Sequence, residues 1–216
     1  MIRHDYIMML IEQLSVVLVK ILFNKDKENY KEAAKEAESA LSGIVGLDYN
    51  MLNSLSAEDI ISLLNISDDT SGFKCIVAAK LLKEIADIKE LSSNSGGDYK
   101  TYIKILTLYL EGILKTKVTS TESIDFTPDI EDITKRLSEY EFPPGIKHKL
   151  FRFYELTSKF DKAENLLFEL KIINYDNIKT QGIQFYNNLQ KLNDTELAKG
   201  KLSRNEIKEG LAEFLK

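Results

Sequence analysis

LFRFYELTSKFDKAENLLFEL, residues 150–170, decides how the rest of the chain is read. Leu150 and Tyr154 share one helical stripe, and Phe160, Ala163 and Leu167 share a second, at offsets of three and four residues. Ser158 lies between the two, near the turn of what is then a helical hairpin. Such a hairpin cannot bury its apolar face alone, so it implies further helices stacked on it in a quasi-linear array.

Outward from the hairpin, helical spacing of apolar residues recurs almost throughout, only 3 prolines interrupt it, and nothing reads as a sheet. Downstream, residues 176–192 form a helix with Ile178, Gly182, Phe185 and Leu189 on one face. Gly182 predicts a close backbone contact there, because glycine otherwise weakens a helix by about 1 kcal/mol. Ser203 and Glu206 make a capping box that opens the last helix, whose Ile207, Leu211 and Phe214 point one way. Upstream, Pro143-Pro144 stops a helix that starts at Thr127-Pro128-Asp129 with a capping hydroxyl, a first-turn proline and an early acid. Residues 73–91 and 99–114 make another hairpin, with Asp98 as a cap, and Ser56 caps the short helix AEDIISLL. The first two helices cover about 3–23 and 29–45, and Ala33 and Ala37 in the second leave room for a close neighbour. The Ser/Thr-rich loop 116–126 is the best internal boundary in what reads as one domain, 1–216.

Tyr30, Tyr99 and Phe160 each open the second helix of a hairpin, at separations about twice the 34-residue tetratricopeptide period. The expected fold is therefore all-α, with about nine or ten helices in antiparallel hairpins. That array is tetratricopeptide-like, a degenerate α-solenoid with irregular helices between recognisable pairs.

A chain of 216 residues hides roughly 70% of its unfolded surface and can build its own core. The formal charge of -5, with no basic run, argues against a non-specific grip on nucleic acid. Cys75 is the only cysteine, so no intrachain disulfide forms, and FKCIVAAKLL is the setting of a buried, inert thiol. MIRHDYIMMLIEQLSVVLVKILF is the one segment with the look of a targeting or membrane signal. Asp5, Glu12, Gln13 and Lys20 interrupt it and no small-residue cleavage site follows, so neither a signal peptide nor a membrane span is expected. The cytoplasm is the simplest address.

The search for reacting groups is mostly negative. There is no phosphate-cradling glycine loop, CxxC or HExxH, and ISDDTSG lacks the alternating ligands a calcium loop needs. No metal and no cofactor is expected. His148, between lysines, reads as a surface imidazole. Arg3, His4, Asp5 and Tyr6 crowd four polar types into one turn, and Arg3, His4 and Asp5 with Glu12 and Gln13 form a candidate polar site at one helix end. Adjacent residues diverge around a helix axis, which works against a single focus. From Ile7 to Phe23 apolar residues occupy most of the first helix's circumference, the pattern of a helix buried on two sides or set in an interface. Leu10, Val17 and Leu18 are the expected members of a homodimer seam, with burial beneath the C-terminal helices as the competing arrangement.

On DYIMMLIEQL (5–14), Gly46-Leu47, KLFRFYELTSKFDKAENLLFEL (149–170) and GIQFYNNLQKLNDTELAKGKLSRNEIKEGLAEF (182–214), the chain resembles a bacterial family of unknown function with a tetratricopeptide-like fold. The resemblance spans nearly the whole chain, is weakest over 66–126, and implies a fold and no activity, so no catalytic residue carries over. The expected function is a non-catalytic protein–protein interaction or scaffold module for an unknown protein or peptide partner. The alternatives are a self-assembling homodimer through the N-terminal helix and an enzyme with its site near residues 3–13. Nucleic acid and membrane are not expected partners.

Overall fold

The computed structural model describes residues 2–67, 70–93 and 98–215, with side chains from Asp5 onward except at 66, 67 and 93. Among the described residues there are twelve α-helices, one π-helical turn and no strand beyond an isolated bridge between Ser120 and Asp125. The chain is all-α. The count exceeds nine or ten because two six-residue helices, Tyr49–Ser54 and Asp194–Lys199, are too short to display a period. Two compact units divide it, Met1–Tyr140 and Glu141–Lys216, each described by itself. The division falls beside Pro143-Pro144, while the loop 116–126 lies inside the first unit.

The first unit contains α1 (Ile2–Asp26), α2 (Tyr30–Ala40), α3 (Tyr49–Ser54), α4 (Ala57–Ser67), α5 (Ser71–Ser93), α6 (Tyr99–Thr116) and α7 (Thr127–Arg136). α2 packs against both α1 and α5, and its Ala33, Ala37 and Ala40 are buried, so small side chains let the axes approach. After α2 the π turn Leu41–Val45 ends on Gly46, at φ +85, a left-handed backbone that favours a residue without a Cβ. α5 is the centre of the unit, with Phe73, Ile76, Ala79, Leu82, Ile85 and Ile88 buried on all its sides, and Cys75 is buried as expected. Its hairpin with α6 closes tightly at Gly112, where a Cβ would stand 2.5 Å from the Gly72 carbonyl oxygen. The caps at Ser56 and Asp98 form as expected, with Ser56 Oγ accepting from Asp59 N at 3.1 Å and Asp98 Oδ1 from Thr101 N at 2.8 Å. α7 starts differently. Asp125 Oδ1 accepts from Thr127 N at 2.9 Å, which places Thr127 inside the helix, and α7 stops at Arg136, before the prolines.

The second unit contains α8 (Pro144–Leu156), α9 (Phe160–Ile172), α10 (Ile178–Leu189), α11 (Asp194–Lys199) and α12 (Arg204–Leu215). α8 and α9 are the hairpin read from residues 150–170, turning at Ser158 with φ +55. Leu150, Phe160, Ala163 and Leu167 are buried in it. Aromatic rings carry the core onward, Phe185 standing 5.7 Å from Phe151 and 6.5 Å from Phe160, and Tyr186 6.1 Å from Phe214. Gly182 is a close approach, made by a side-chain ring where a backbone contact was expected. Its neighbour is the Phe214 ring of α12, which leaves no space for a Cβ. Glu206 Oε2 accepts from Ser203 N at 2.7 Å while Ser203 Oγ accepts from Glu206 N at 3.3 Å, the reciprocal bonds of the expected capping box.

Candidate functional site

The side chains of Arg3 and His4 lie outside the described residues. Asp5, Glu12 and Gln13 are exposed on α1. His148 is more than a surface imidazole, since its Nε2 meets Gln181 Oε1 at 2.7 Å and its ring stacks on Tyr175 at 5.0 Å. Those partners lie well downstream, so no local pattern announced them.

The densest chemistry sits elsewhere, along α5. Lys80 Nζ lies 2.9 Å from Asp129 Oδ2 of α7 and 3.0 Å from Glu84 Oε1, and Glu84 Oε2 takes Lys25 Nζ of α1 at 3.1 Å. The Tyr109 hydroxyl of α6 donates to the same Asp129 Oδ2 at 2.6 Å. One turn on, Lys83 Nζ reaches Asp87 and Asp132, both at 2.8 Å. Arg136 then closes the row on Asp132 at 2.8 Å, Glu90 at 2.6 Å and the Tyr102 hydroxyl at 3.1 Å. Burial works against the charge of Lys80, but Asp129 and Glu84 outweigh it and hold the ammonium above the ordinary lysine range. Burial likewise opposes the charge of Glu84, and Lys80 with Lys25 carries it below the usual carboxylate range. Asp87 goes the other way, pushed up by burial despite Lys83. The Tyr109 phenol is held well above its ordinary value by burial first and the Asp129 charge second.

A lysine, an aspartate and a tyrosine sharing one oxygen could be an acid–base centre. Here each group spends its bonds on another member of the row. The row ties α1 and α7 onto α5. Sequence reasoning missed it, although Lys80/Glu84 and Lys83/Asp87 are visible as pairs four residues apart.

A cleft of about 330 Å³ opens between α3, α5 and α6, lined by Tyr49, Leu52, Ile85, Lys89, Asp98 and Lys104 among others. Lys104 Nζ donates to the carbonyls of Leu52 at 2.9 Å and Asn53 at 2.8 Å, capping the end of α3, and burial lowers its pKa. Lys89 Nζ sits 4.7 Å over the Tyr49 ring. Both lysines thus hold α3 in place. Among the described residues no group of three or more His, Cys, Asp or Glu is placed to hold a metal ion.

The remaining feature is the outer side of α1. Leu10, Leu14 and Ile21 are buried on its inner side, in the unit where α1 packs on α2 and α5. Leu10, expected on an outward seam, is therefore a core residue, and Val17 and Leu18 are half-buried flanks. Leu10 is four and eleven residues from Leu14 and Ile21, which sets all three on one stripe. The exposed apolar residues are Met8, Met9, Val16, Val19, Leu22 and Phe23, with Val16 54%, Val19 66% and Phe23 56% accessible. By length and composition alone, the segment Asp5–Asp26 could cross a membrane.

These features define an all-helical protein with an internally matched set of charges and one uncovered apolar helix face. The chain belongs to a family of unknown function, DUF6483, whose profile matches residues 1–216. No curated protein and no solved structure matches it.

Proposed function

We propose that this chain is a non-catalytic protein-binding module whose contact surface is the outer face of α1. One observation carries the reading: six large apolar side chains stand exposed along a helix whose opposite stripe is fully packed. Water-exposed apolar surface costs about 25 cal/mol per Å², and soluble monomers rarely keep such a stripe contiguous without a use for it. The groups best suited to chemistry are meanwhile engaged with one another on α5 and α7. The α5–α6 and α8–α9 hairpins support a tetratricopeptide-like arrangement, a kind of array that offers surfaces to proteins or peptides. The setting proposed is the cytoplasm of a bacterium.

A photo-crosslinking amino acid at Val16, compared with one at the exposed Lys208, tests the reading in the cells that make the protein. A protein adduct at Val16 and none at Lys208 is the expected result. Absence of any protein adduct at Val16 overturns it.

A further inference from the structure

We infer that α1 pairs with α1 of a second copy of this chain, antiparallel about a two-fold axis near Val16, an arrangement that rests on reading this face as protein-binding. Met9, Val16 and Phe23 stand seven residues apart on the exposed side, with Glu12 and Val19 between them at spacings of three and four. That is the spacing at which two helices mesh along a common seam.

Charge decides the orientation. Asp5 and Glu12, seven residues apart, are acids of the N-terminal half, while Lys20 in the C-terminal half and Lys27 in the turn just beyond α1, also seven apart, are bases; Lys25 is tied inward to Glu84, and Asp26 is a further exposed acid at the helix end. Asp5, Glu12, Lys20 and Lys27 are all exposed. Val16 is the midpoint of Met9 and Phe23, of Glu12 and Lys20, and of Asp5 and Lys27. An antiparallel pair centred there brings Met9 towards the partner's Phe23 and sets Glu12 of each helix beside Lys20 of the other. A parallel pair sets Glu12 beside Glu12 and Lys20 beside Lys20, which is repulsive. Among the described residues Lys20 makes a long contact, 3.7 Å to Glu36, on a side chain 56% exposed, and Lys27 Nζ lies 4.0 Å over the Phe23 ring at the edge of the strip. Both cations can reach outward.

The same residues favour protein over lipid. Glu12, Gln13 and Lys20 interrupt the exposed strip itself, where a bilayer would have to take them in uncompensated, while a second copy offers each acid a base. Two-fold symmetry then satisfies both ends at once. A helix of 25 residues is about 37 Å long, and a strip about 10 Å wide along it covers on the order of 400 Å² per copy. That is about half a standard interface, the size of a reversible contact and not of an obligate one.

Sedimentation velocity of the full chain from about 1 to about 300 μM reads the equilibrium. The wild type should pass from monomer to dimer, less readily at high salt. Glu12→Lys and Lys20→Glu should each weaken association at least roughly tenfold, and the double variant E12K/K20E should restore it. The restoration is specific to the antiparallel form, because in a parallel pair the double variant only exchanges one like-charge contact for another. Mixing M9C with F23C should give a disulfide-linked dimer faster than M9C alone, with unchanged far-UV circular dichroism showing that each variant folds. A wild type monomeric at about 300 μM, single reversals without effect, or faster linkage of M9C to itself would overturn the pairing. The crosslinker at Val16 separates the two levels. An adduct with a different protein and none with a second copy removes the self-pairing and leaves the binding face standing, whereas no protein adduct removes both.

Discussion

Truncating Asp129 to alanine probes whether the row of charges on α5 clamps α7 and α6 to it. Asp129 Oδ2 serves two donors, the half-buried Lys80 Nζ at 2.9 Å and the buried Tyr109 hydroxyl at 2.6 Å. Without it the hydroxyl of a fully buried ring loses its acceptor, a cost of about 1–3 kcal/mol. Lys80, whose side chain is 13% exposed, keeps Glu84 at 3.0 Å, so its loss falls below the roughly 3–5 kcal/mol of a completely broken buried pair. Together the two terms come to about 4 kcal/mol, which in a unit of this size lowers its melting temperature by roughly 8–16 °C. Asp129→Asn keeps an acceptor for Tyr109 and loses the charge, so it should cost about half as much. Lys80→Met should be much milder in the Asp129→Ala background than in the wild type, with a coupling of at least about 1 kcal/mol. Calorimetry, with urea unfolding followed by circular dichroism as a second probe, measures all three. A loss below about 1 kcal/mol for Asp129→Ala, or strict additivity with Lys80→Met, would falsify the clamp.

The acid limb of the stability profile should follow the same row. Glu84 and Asp132 sit below their ordinary values in the folded chain, so the stability they contribute is complete above the usual glutamate value of 4.5 and is lost as pH falls through their lowered folded values. The first unit should melt progressively lower on going below pH 4.5, and Glu84→Gln should flatten that limb. Lys80 and Lys83, raised above 10.5, give the mirror case, with stability lost as pH rises past that value. In the second unit burial pushes Glu164 up although it accepts from the Tyr186 hydroxyl at 2.7 Å, so its charge is held less well in the folded chain than in the unfolded one and costs stability at pH 7. Glu164→Gln should therefore raise the melting temperature of that unit at pH 7, and a fall would refute the assignment. Gly112→Ala should cost a net 1–2 kcal/mol, about 2–3 from forcing a Cβ against the Gly72 carbonyl and Ile76, less about 1 from better helix propensity. Gly43→Ala, with nothing within 4 Å of its Cβ, is the control that should be neutral or stabilising in the same melt.

Where the sequence was legible, the controlling physics was local. The hairpin of α8 and α9 shows because each helix is long enough to repeat its stripe, and the caps at Ser56, Asp98 and Ser203 show because a cap reaches only three residues. α7 ends before the prolines, and the residue at which it ends is hidden because apolar spacing continues past it. Leu137 is buried and Tyr140 packs on Tyr99 at 4.9 Å, so the period persists although the backbone has left the helix. The loop 116–126 has linker composition, yet the Ser120–Asp125 bridge pins it and Phe126 is buried 6.3 Å from Tyr109. Composition reports what a loop could do when free, and tertiary contact decides whether it is free.

The candidate sites fail to show for a different reason, which is azimuth. Pairs such as Lys80/Glu84 ordinarily mean a solvated helix face, and only matching charges brought in from Lys25, Asp129 and Asp132 make that face an interior. None of those partners is near in sequence, so no window contains the signal. α1 poses the same problem with apolar residues. They run nearly all round the helix, so the chain alone does not say which side the alanines of α2 will take. Once Leu10, Leu14 and Ile21 are packed, the outer side is fixed, and the placing of Glu12 and Lys20 at equal distances about Val16 acquires a meaning that no linear reading could give it. The same residue order on the inner side would be a set of buried, uncompensated charges, which the fold would not tolerate. On the outer side it is a template for an oppositely oriented copy of itself.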